Sequence, residues 1–305
     1  MAPVTAAGGP WNHRAGEPDP PRADCTADSA GGLTFDIAAP GAEERWDAAL
    51  LLRRRGTEQP ETVRLPLVPA GAGMLRAVLP STVPLAEGRW NAYLALGEEH
   101  PRRLVPGRTA LDPLIGRVPR AGRTWLGVRI PYRTRHGNLA LRAWLRWPHA
   151  EAAGFRLEGG TAPALVLHGR LHGAELGAGS LLEARSTEAS APGATAPVRA
   201  EGDGFTVRLP VGALARHEPG TEWQLWLRAA SGADPVRVAR IFDVDPDKRF
   251  TDRCAGLPAG GGAVLRPAFT ADNDLSLRVE EEPADHRGAA APADTASHCA
   301  GSPEA

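Results

Sequence analysis

The chain has 305 residues, a formal net charge of −1, 42% hydrophobic residues and 23% charged ones. An apolar share of that size excludes a wholly disordered chain, and no apolar run approaches the roughly 18 residues of a membrane-spanning helix. Near-neutral charge argues against nucleic-acid binding over the whole surface, and the length suits about two domains that each bury a core.

The N-terminus reads MAPVTAAGGPWNHRAG and lacks the basic start and apolar stretch of a secretion signal. Residues 1–30, rich in Pro, Gly, Ala and Asp, are expected to form a disordered tail. Cys25, Cys254 and Cys299 make an odd set with no CxxC pair and no metal-ligand spacing. They point to a reducing, cytoplasmic location and away from a disulfide framework. Lys248 is the sole lysine among 35 basic residues, a bias that high-GC coding also produces.

Beyond residue 30 the chain repeats itself. LTFDIAAPGAEERWDAALLLRRR (33–55) returns as LVLHGRLHGAELGAGSLLEAR (165–185), and LRAVLP (75–80) returns as TVRLP (206–210). GRWNAYLAL (88–96) returns as TEWQLWLRA (221–229), and IPYRTRHGNLALR (130–142) as RPAFTADNDLSLR (266–278). The offset grows slowly, from 130 at Leu79/Leu209 to 133 at Trp90/Trp223 and 136 at Leu139/Leu275. Small loop insertions in a duplicated domain produce such a drift.

Both copies carry the strand period. Apolar residues recur at every second position in Trp90, Ala92, Leu94 and Leu96, and again in Trp223, Leu225 and Leu227. Leu139, Leu141, Ala143 and Phe205, Val207, Leu209 make further inward rows. Turn sequences separate them, including His136-Gly137-Asn138 and Asp272-Asn273-Asp274, which suit positive φ at tight hairpins. The predicted fold is all-β: two tandem Ig-like β-sandwich modules from an internal duplication, at 31–148 and 155–282, with disordered termini. Residues 186–204 are expected to form a long exposed loop, and 283–305 a disordered acidic tail.

In chain order, the first candidate site is aromatic. Tyr93 and Trp226 stand outward on equivalent strands, beside Asn91 and Gln224, and are candidates for stacking on sugars; packing on the neighbouring module is the alternative. Residues 101–148 then carry eleven arginines against one acidic residue, Asp112. Guanidinium forks bind oxyanions bidentately, and aromatic rings stack on sugars. Arg129, Arg133, Arg135, Arg142, Trp144, Arg146 and Trp147 are therefore the expected contact for a polyanion or an acidic partner. Charged strand edges that resist pairing would give the same composition. His168 and His172, four apart on a strand, lie roughly 13 Å apart, too far to share a metal, and read as surface histidines. Asp243-Val244-Asp245 matches the D-x-D pair that holds a divalent metal on nucleotide sugars. Without the surrounding α/β pattern it reads as an acidic turn, leaving Asp243 and Asp245 as weak metal candidates. No phosphate loop or nucleophile elbow is present, so no catalytic residue and no cofactor is assigned.

The segment IPYRTRHGNLALRAWLRWPHAEA, with its echo RPAFTADNDLSLR, resembles a known family. The phrase P-Y-x-T-x-x-G-N-L-x-L-R before a Trp-rich strand is similar to β-sandwich accessory regions beside glycosyltransferases and glycerophosphotransferases of wall-teichoic-acid-type polymer synthesis in high-GC Gram-positive bacteria. The resemblance covers both repeat units. The nucleotide-binding motifs of the family's transferase domain do not occur in these residues, so no catalytic role is carried over. The resemblance implies a non-catalytic accessory module of envelope glycopolymer synthesis, with an anionic glycan and a glycosyltransferase or polymerase as partners. Together with the cysteine usage, the apolar runs and the net charge, the expectation is a cytoplasmic place, peripheral to the membrane through that partner, without membrane insertion or nucleic-acid binding. The alternatives are a small metal-dependent transferase using Asp243 and Asp245, and a structural oligomerisation module that buries Tyr93 and Trp226.

Overall fold

The computed structural model describes residues 19–282 and 297–300, apart from 40, 42–44, 57, 59–60, 118, 120–123, 187–192, 250–254 and 261. The expected tails at 1–18, 283–296 and 301–305, the centre of the 186–204 loop and Cys254 lie outside the described residues. Among those described, no helix is long and apolar enough to cross a membrane; two single 3₁₀ turns interrupt an otherwise all-β chain.

Copy one contains β1 (Arg22–Ala27), β2 (Leu33–Ala38), β3 (Ala48–Arg54), β4 (Thr62–Pro66), β5 (Val68–Gly71), β6 (Met74–Leu79), β7 (Gly88–Leu96), β8 (Arg102–Arg103), β9 (Val105–Ala110), β10 (Leu126–Arg133) and β11 (Leu139–Arg146). One sheet runs β5-β6-β2-β1-β9 and the other β10-β11-β7-β3-β4, with β8 also on β7. Taking β1, β2, β6 and β5 as strands A, B, E and D, and β3, β7 and β8 as C, F and G, gives the immunoglobulin-type sandwich. Hairpin β10–β11 is added beside β8 on the same edge of β7.

Copy two repeats this plan with β12 (His149–Glu158), β13 (Ala164–His172), β14 (Leu181–Ser186), β15 (Ala194–Pro197), β16 (Arg199–Glu201), β17 (Gly204–Pro210), β18 (Glu222–Arg228), β19 (Pro235–Ala239), β20 (Leu257–Gly260), β21 (Ala263–Phe269) and β22 (Leu275–Glu281). The pairings of copy one recur, including the parallel one: β1 with β9, and β12 with β19. A single β19 bridges both sheets of copy two by pairing β18 and β12, whereas copy one divides that task between β8 and β9. A last strand, β23 (Ser297–Ala300), pairs with β12.

The inward rows are those of the sequence period. Trp90, Ala92 and Leu94 are buried in copy one, and Trp223, Leu225 and Leu227 in copy two. The indole nitrogen of Trp90 donates to Ala86 O at 3.0 Å. The two hairpin turns match as expected: Gly137 has φ 75° in β10–β11, and Asn273 has φ 58° in β21–β22. Glycine pays no steric penalty there, and asparagine is the side chain that best tolerates it.

Four boundary expectations are corrected. Within 186–204, expected to be one long exposed loop, Ala194–Pro197 and Arg199–Glu201 are strands and Ala196 is buried. Residues 22–27, placed in the disordered tail, form β1, with Ala23, Cys25 and Ala27 buried. Small inward residues gave this strand little apolar signal. Burial, with Asp24 adding to it, pushes the Cys25 thiol up to about 12, so this thiol stays protonated and inert. The interval 149–154 is not a spacer, because β12 begins at His149. Residues 297–300, placed in the acidic tail, are strand.

The copies dock through the outer face of β10–β11. Leu126, Val128, Ile130 and Trp144 pack against Ala239 and Ile241 of copy two. Trp144 Nε1 donates to Asp272 O at 2.8 Å, Arg142 pairs with the Asp272 carboxylate, Arg146 with Asp274 at 2.7 Å, and Arg89 with Asp247 at 3.1 Å. Arg89 and Arg142 are direct cross-strand neighbours. Like charges so placed repel, and copy two supplies a carboxylate to each. The equivalent pair in copy two is Glu222 and Arg278, which neutralise each other at 3.0 Å. Where copy one has Ile130 and Trp144, copy two has Arg266 and Glu280, also paired at 3.0 Å. That face is closed by its own ion pairs, as the outer face of a terminal repeat should be.

Trp144→Ala should therefore lower unfolding free energy by about 3–5 kcal/mol. Asp272→Ala should cost about 3 kcal/mol, because it strands the buried Arg142 charge. Arg278→Ala, at a half-exposed pair, should cost under about 1 kcal/mol. Urea melts of the three variants check the order.

Candidate functional site

The fold distributes the expected basic surface over buried positions. Arg129 is 2% exposed and donates to Pro80 O at 2.8 Å and to Val83 O. Arg142 is 4% exposed, Trp144 is fully buried, and Arg146 is held between Glu87 and Asp274. Trp147 is half-buried against Gly173. Of the seven, Arg133 and Arg135 are exposed. The expectation of one open Arg/Trp face is thus corrected. Alternation on β10 and β11 sends these side chains to two sides, one covered by copy one and the other by copy two.

The aromatic candidates are also engaged. Arg53 and Arg103 lie over the Tyr93 ring at 5.1 and 4.8 Å from its centroid. Arg185 and Arg237 lie over Trp226 at 5.9 and 5.7 Å. Guanidinium groups occupy the place expected for a sugar, which corrects the stacking role of Tyr93 and Trp226.

Asp243 is paired with Lys248 and, at 3.7 Å, with Arg240. Burial outweighs these cations and raises its carboxyl above the usual range. Asp245 accepts from Asp247 N at 2.9 Å, and Asp247 reaches Arg89. These acids shape the segment that docks on copy one. No cluster of three or more His, Cys, Asp or Glu able to hold a metal occurs among the described residues.

A cleft of mixed polar and apolar lining lies instead against copy two, with a volume of about 380 Å³. Its walls include His168, Arg170 and His172 of β13, Glu151 of β12, Thr206 of β17, Phe242 after β19, and Arg117 from copy one. A bulge between Ala152 and Gly154 bends β12 at this point, a device that re-aims side chains beside functional sites. Gly169 allows the Phe205 ring to form the floor: a Cβ there would stand 2.5 Å from Phe205 Cζ and 2.6 Å from Glu151 O.

Behind the wall, Glu151 organises the site. Its carboxylate accepts from Ile241 N at 3.0 Å and Phe242 N at 3.0 Å, and lies 2.7 Å from His149 Nε2. His149 is fully buried, and its Nδ1 has no hydrogen-bond partner. The His172 ring stacks on His149 at 6.4 Å between centroids, with 8° between planes. Phe242 meets both imidazoles edge-on, at 5.6 and 5.2 Å. Arg117 sits 5.9 Å over Phe242 and is anchored by Ala30 O and Gly127 O. His168 Nδ1 and Thr206 Oγ1 are 2.9 Å apart, and Thr206 donates to Glu201 at 2.8 Å. Arg170 pairs with Asp203 at 2.7 Å.

Copy one has different residues at these positions. The strand registers place Glu151 where copy one has Arg22, His168 where it has Asp36, and Thr206 where it has Arg76. Asp36 and Arg76 form an ion pair at 2.6 Å. Copy two replaces that closed pair with an imidazole and a hydroxyl, both lining the cleft.

Sequence reasoning placed His168 and His172 at the surface, counted Arg117 and His149 only with the basic segment 101–148, and missed Glu151 and Phe242. One signal was available: His149-Ala150-Glu151 puts an imidazole and a carboxylate two apart, on one face of a strand. No protein-family model matches the chain, and no curated protein matches its sequence. The molecule is classed by its architecture: a tandem β-sandwich protein with a mixed cleft against its second copy.

Burial, with the His149 charge beside it, lowers the His172 imidazole to about 4 from its ordinary 6.5. The unfolded chain takes up this proton first, so stability should fall as pH drops from about 6.5 to about 4 and level off below. After discount for partial exposure the loss should be about 1–2 kcal/mol. His172→Gln should remove that part of the pH dependence. Urea melts across this pH range, wild type against variant, provide the measurement.

Proposed function

We propose that this protein is a non-catalytic binding module of glycopolymer handling, and that the cleft of copy two receives a hydroxyl-rich polymer unit, a sugar or an alditol. The observation that carries the reading is the mixed character of this cleft, lined by His168 and Thr206 where copy one has the paired Asp36 and Arg76. An imidazole, a hydroxyl and a guanidinium surround the rings of Phe205 and Phe242. Hydroxyl groups need donors and acceptors together, and the C–H face of a sugar packs on aromatic rings. The charged groups there are engaged by the protein itself: Arg170 pairs with Asp203, Glu151 accepts from backbone N–H groups and Arg117 donates to the carbonyls of Ala30 and Gly127. Such a site selects hydroxyl geometry rather than net charge, and its binding should depend weakly on salt. The resemblance of the repeat sequence to accessory regions of envelope-polymer synthesis supports the same ligand class. It also supplies the partner proposed for the protein, a glycosyltransferase or polymerase. Cytoplasmic placement belongs to this reading too.

Titration with neutral oligosaccharides and with poly(glycerol phosphate), followed by amide NMR shifts, tests the proposal. Shifts should centre on Gly169, Arg170 and Phe242 and persist at high salt. His168→Ala with His172→Ala should weaken binding by about tenfold or more, and Arg133→Ser with Arg135→Ser should not. Shifts elsewhere, or equal affinity in the histidine double variant, would overturn the assignment of the cleft.

A further inference from the structure

The clamp around Tyr93 differs from its counterpart in one informative respect. Both copies place an aromatic ring between two arginines on equivalent strands: Arg53 of β3 and Arg103 of β8 at Tyr93, and Arg185 of β14 and Arg237 of β19 at Trp226. In copy two each arginine has an internal carboxylate. Arg185 pairs with Glu183, and Arg237 with Asp274 at 2.7 Å.

The registers identify what copy one has in those two places. Glu183 lies opposite Trp226 as Leu51 lies opposite Tyr93, so Leu51 stands for Glu183. Asp274 and Asn138 both donate their backbone N–H to a threonine hydroxyl four residues earlier, Thr270 and Thr134, at 3.2 and 3.1 Å. Asn138 thus stands for Asp274. Copy one keeps the ring and both guanidinium groups but has an aliphatic and an amide side chain in place of the two carboxylates. Among the described residues no carboxylate pairs with Arg53 or Arg103, and Arg103 Nη1 is buried without a hydrogen-bond partner. Leu51 also neighbours the exposed Arg64 across β3–β4, whose guanidinium donates to Asp47 O at 2.9 Å.

We infer that the Arg53–Tyr93–Arg103 clamp is an oxyanion site, filled from outside by the phosphate or carboxylate groups of an anionic glycan where copy two fills it from within. Guanidinium forks match both oxyanions bidentately, and the Tyr93 ring, about 5 Å from each, holds both groups beside it without adding charge. This site is separate from the cleft and does not rest on the cleft's assignment. Unlike the cleft, it holds unbalanced charge, so its occupancy should fall steeply with salt.

The test restores copy two's chemistry in copy one. Inorganic phosphate and oligogalacturonate are titrated separately onto the full chain, with the arginine Nε–H signals and the melting temperature followed. Wild type should show salt-sensitive shifts at Arg53 and Arg103 with at least one of the two; which one responds assigns phosphate or carboxylate. Leu51→Glu with Asn138→Asp should reduce binding about tenfold or more while keeping or raising the melting temperature. Arg53→Gln with Arg103→Gln reads the same loss should the first variant fold poorly. Arg185→Gln in copy two and the cleft variant His168→Ala/His172→Ala should both leave it intact. Absence of a response in wild type to both probes, or undiminished binding in the variants of Leu51/Asn138 and Arg53/Arg103, would overturn the inference.

Discussion

Arg89 and Arg142 face each other across β7 and β11, and among the described residues neither is paired with a carboxylate of its own module. Asp247 and Asp272 reach them from copy two, while Trp144 is buried at the same contact and hydrogen-bonded to Asp272 O. Breaking a buried ion pair by removing one partner is costly because a naked charge remains. Separation of the copies would leave Arg142 unpaired and expose Val128, Ile130 and Trp144 together. The relative placement of the modules, and therefore Arg117's position beside Phe242, rests on this contact. Asp274 adds a further tie, pairing with Arg146 of copy one and Arg237 of its own copy.

The duplication was legible in the sequence because its determinants are local. Alternating rows such as Trp90-Ala92-Leu94, and turn residues such as Gly137 and Asn273, act within a few positions of themselves. β1 was not legible, because its inward residues Ala23, Cys25 and Ala27 are small and the segment resembles a polar tail. The arginines were misassigned for a different reason. Their charge is visible in sequence, but the acids that consume it lie about 130 residues away: Asp272 for Arg142, Asp274 for Arg146. A charge count along one segment cannot distinguish an arginine open to solvent from one that holds two domains together. Glu151 was missed because its role depends on the backbone N–H groups of Ile241 and Phe242, a contact set by topology rather than by spacing.

Comparison of the copies separates what the fold requires from what each copy adds. Trp90 and Trp223, Leu94 and Leu227, Leu139 and Leu275 keep an apolar character because both sandwiches must fill a core. The polar positions vary in pairs, and they vary chemically. Asp36 with Arg76 becomes His168 with Thr206. Arg89 with Arg142 becomes Glu222 with Arg278. Leu51 with Asn138 becomes Glu183 with Asp274. The first exchange replaces an internal ion pair by an uncharged hydrogen-bonded pair, and the second moves neutralisation from the other copy into the module.

One topological difference connects the junction with the cleft. In copy one, β9 follows β1 along its length, pairing from Arg22/Val105 to Thr26/Ala110. In copy two, β19 pairs with β12 at Ala150 and Glu151 and then leaves the sheet. The edge of β12 beyond the bulge is paired by Ser297–Ala300 instead. Because β19 ends early, Ile241 and Phe242 turn back over the strand end, where the Glu151 carboxylate receives their N–H groups. Ile241 then joins the apolar contact with copy one, Phe242 becomes a wall of the cleft, and the following residues carry Asp247 to Arg89. A full-length β19 would satisfy those N–H groups on β12 and leave Glu151 with His149 but without its backbone partners. The early exit of one strand thus places the docking segment and the cleft wall together, which explains why both belong to the second copy.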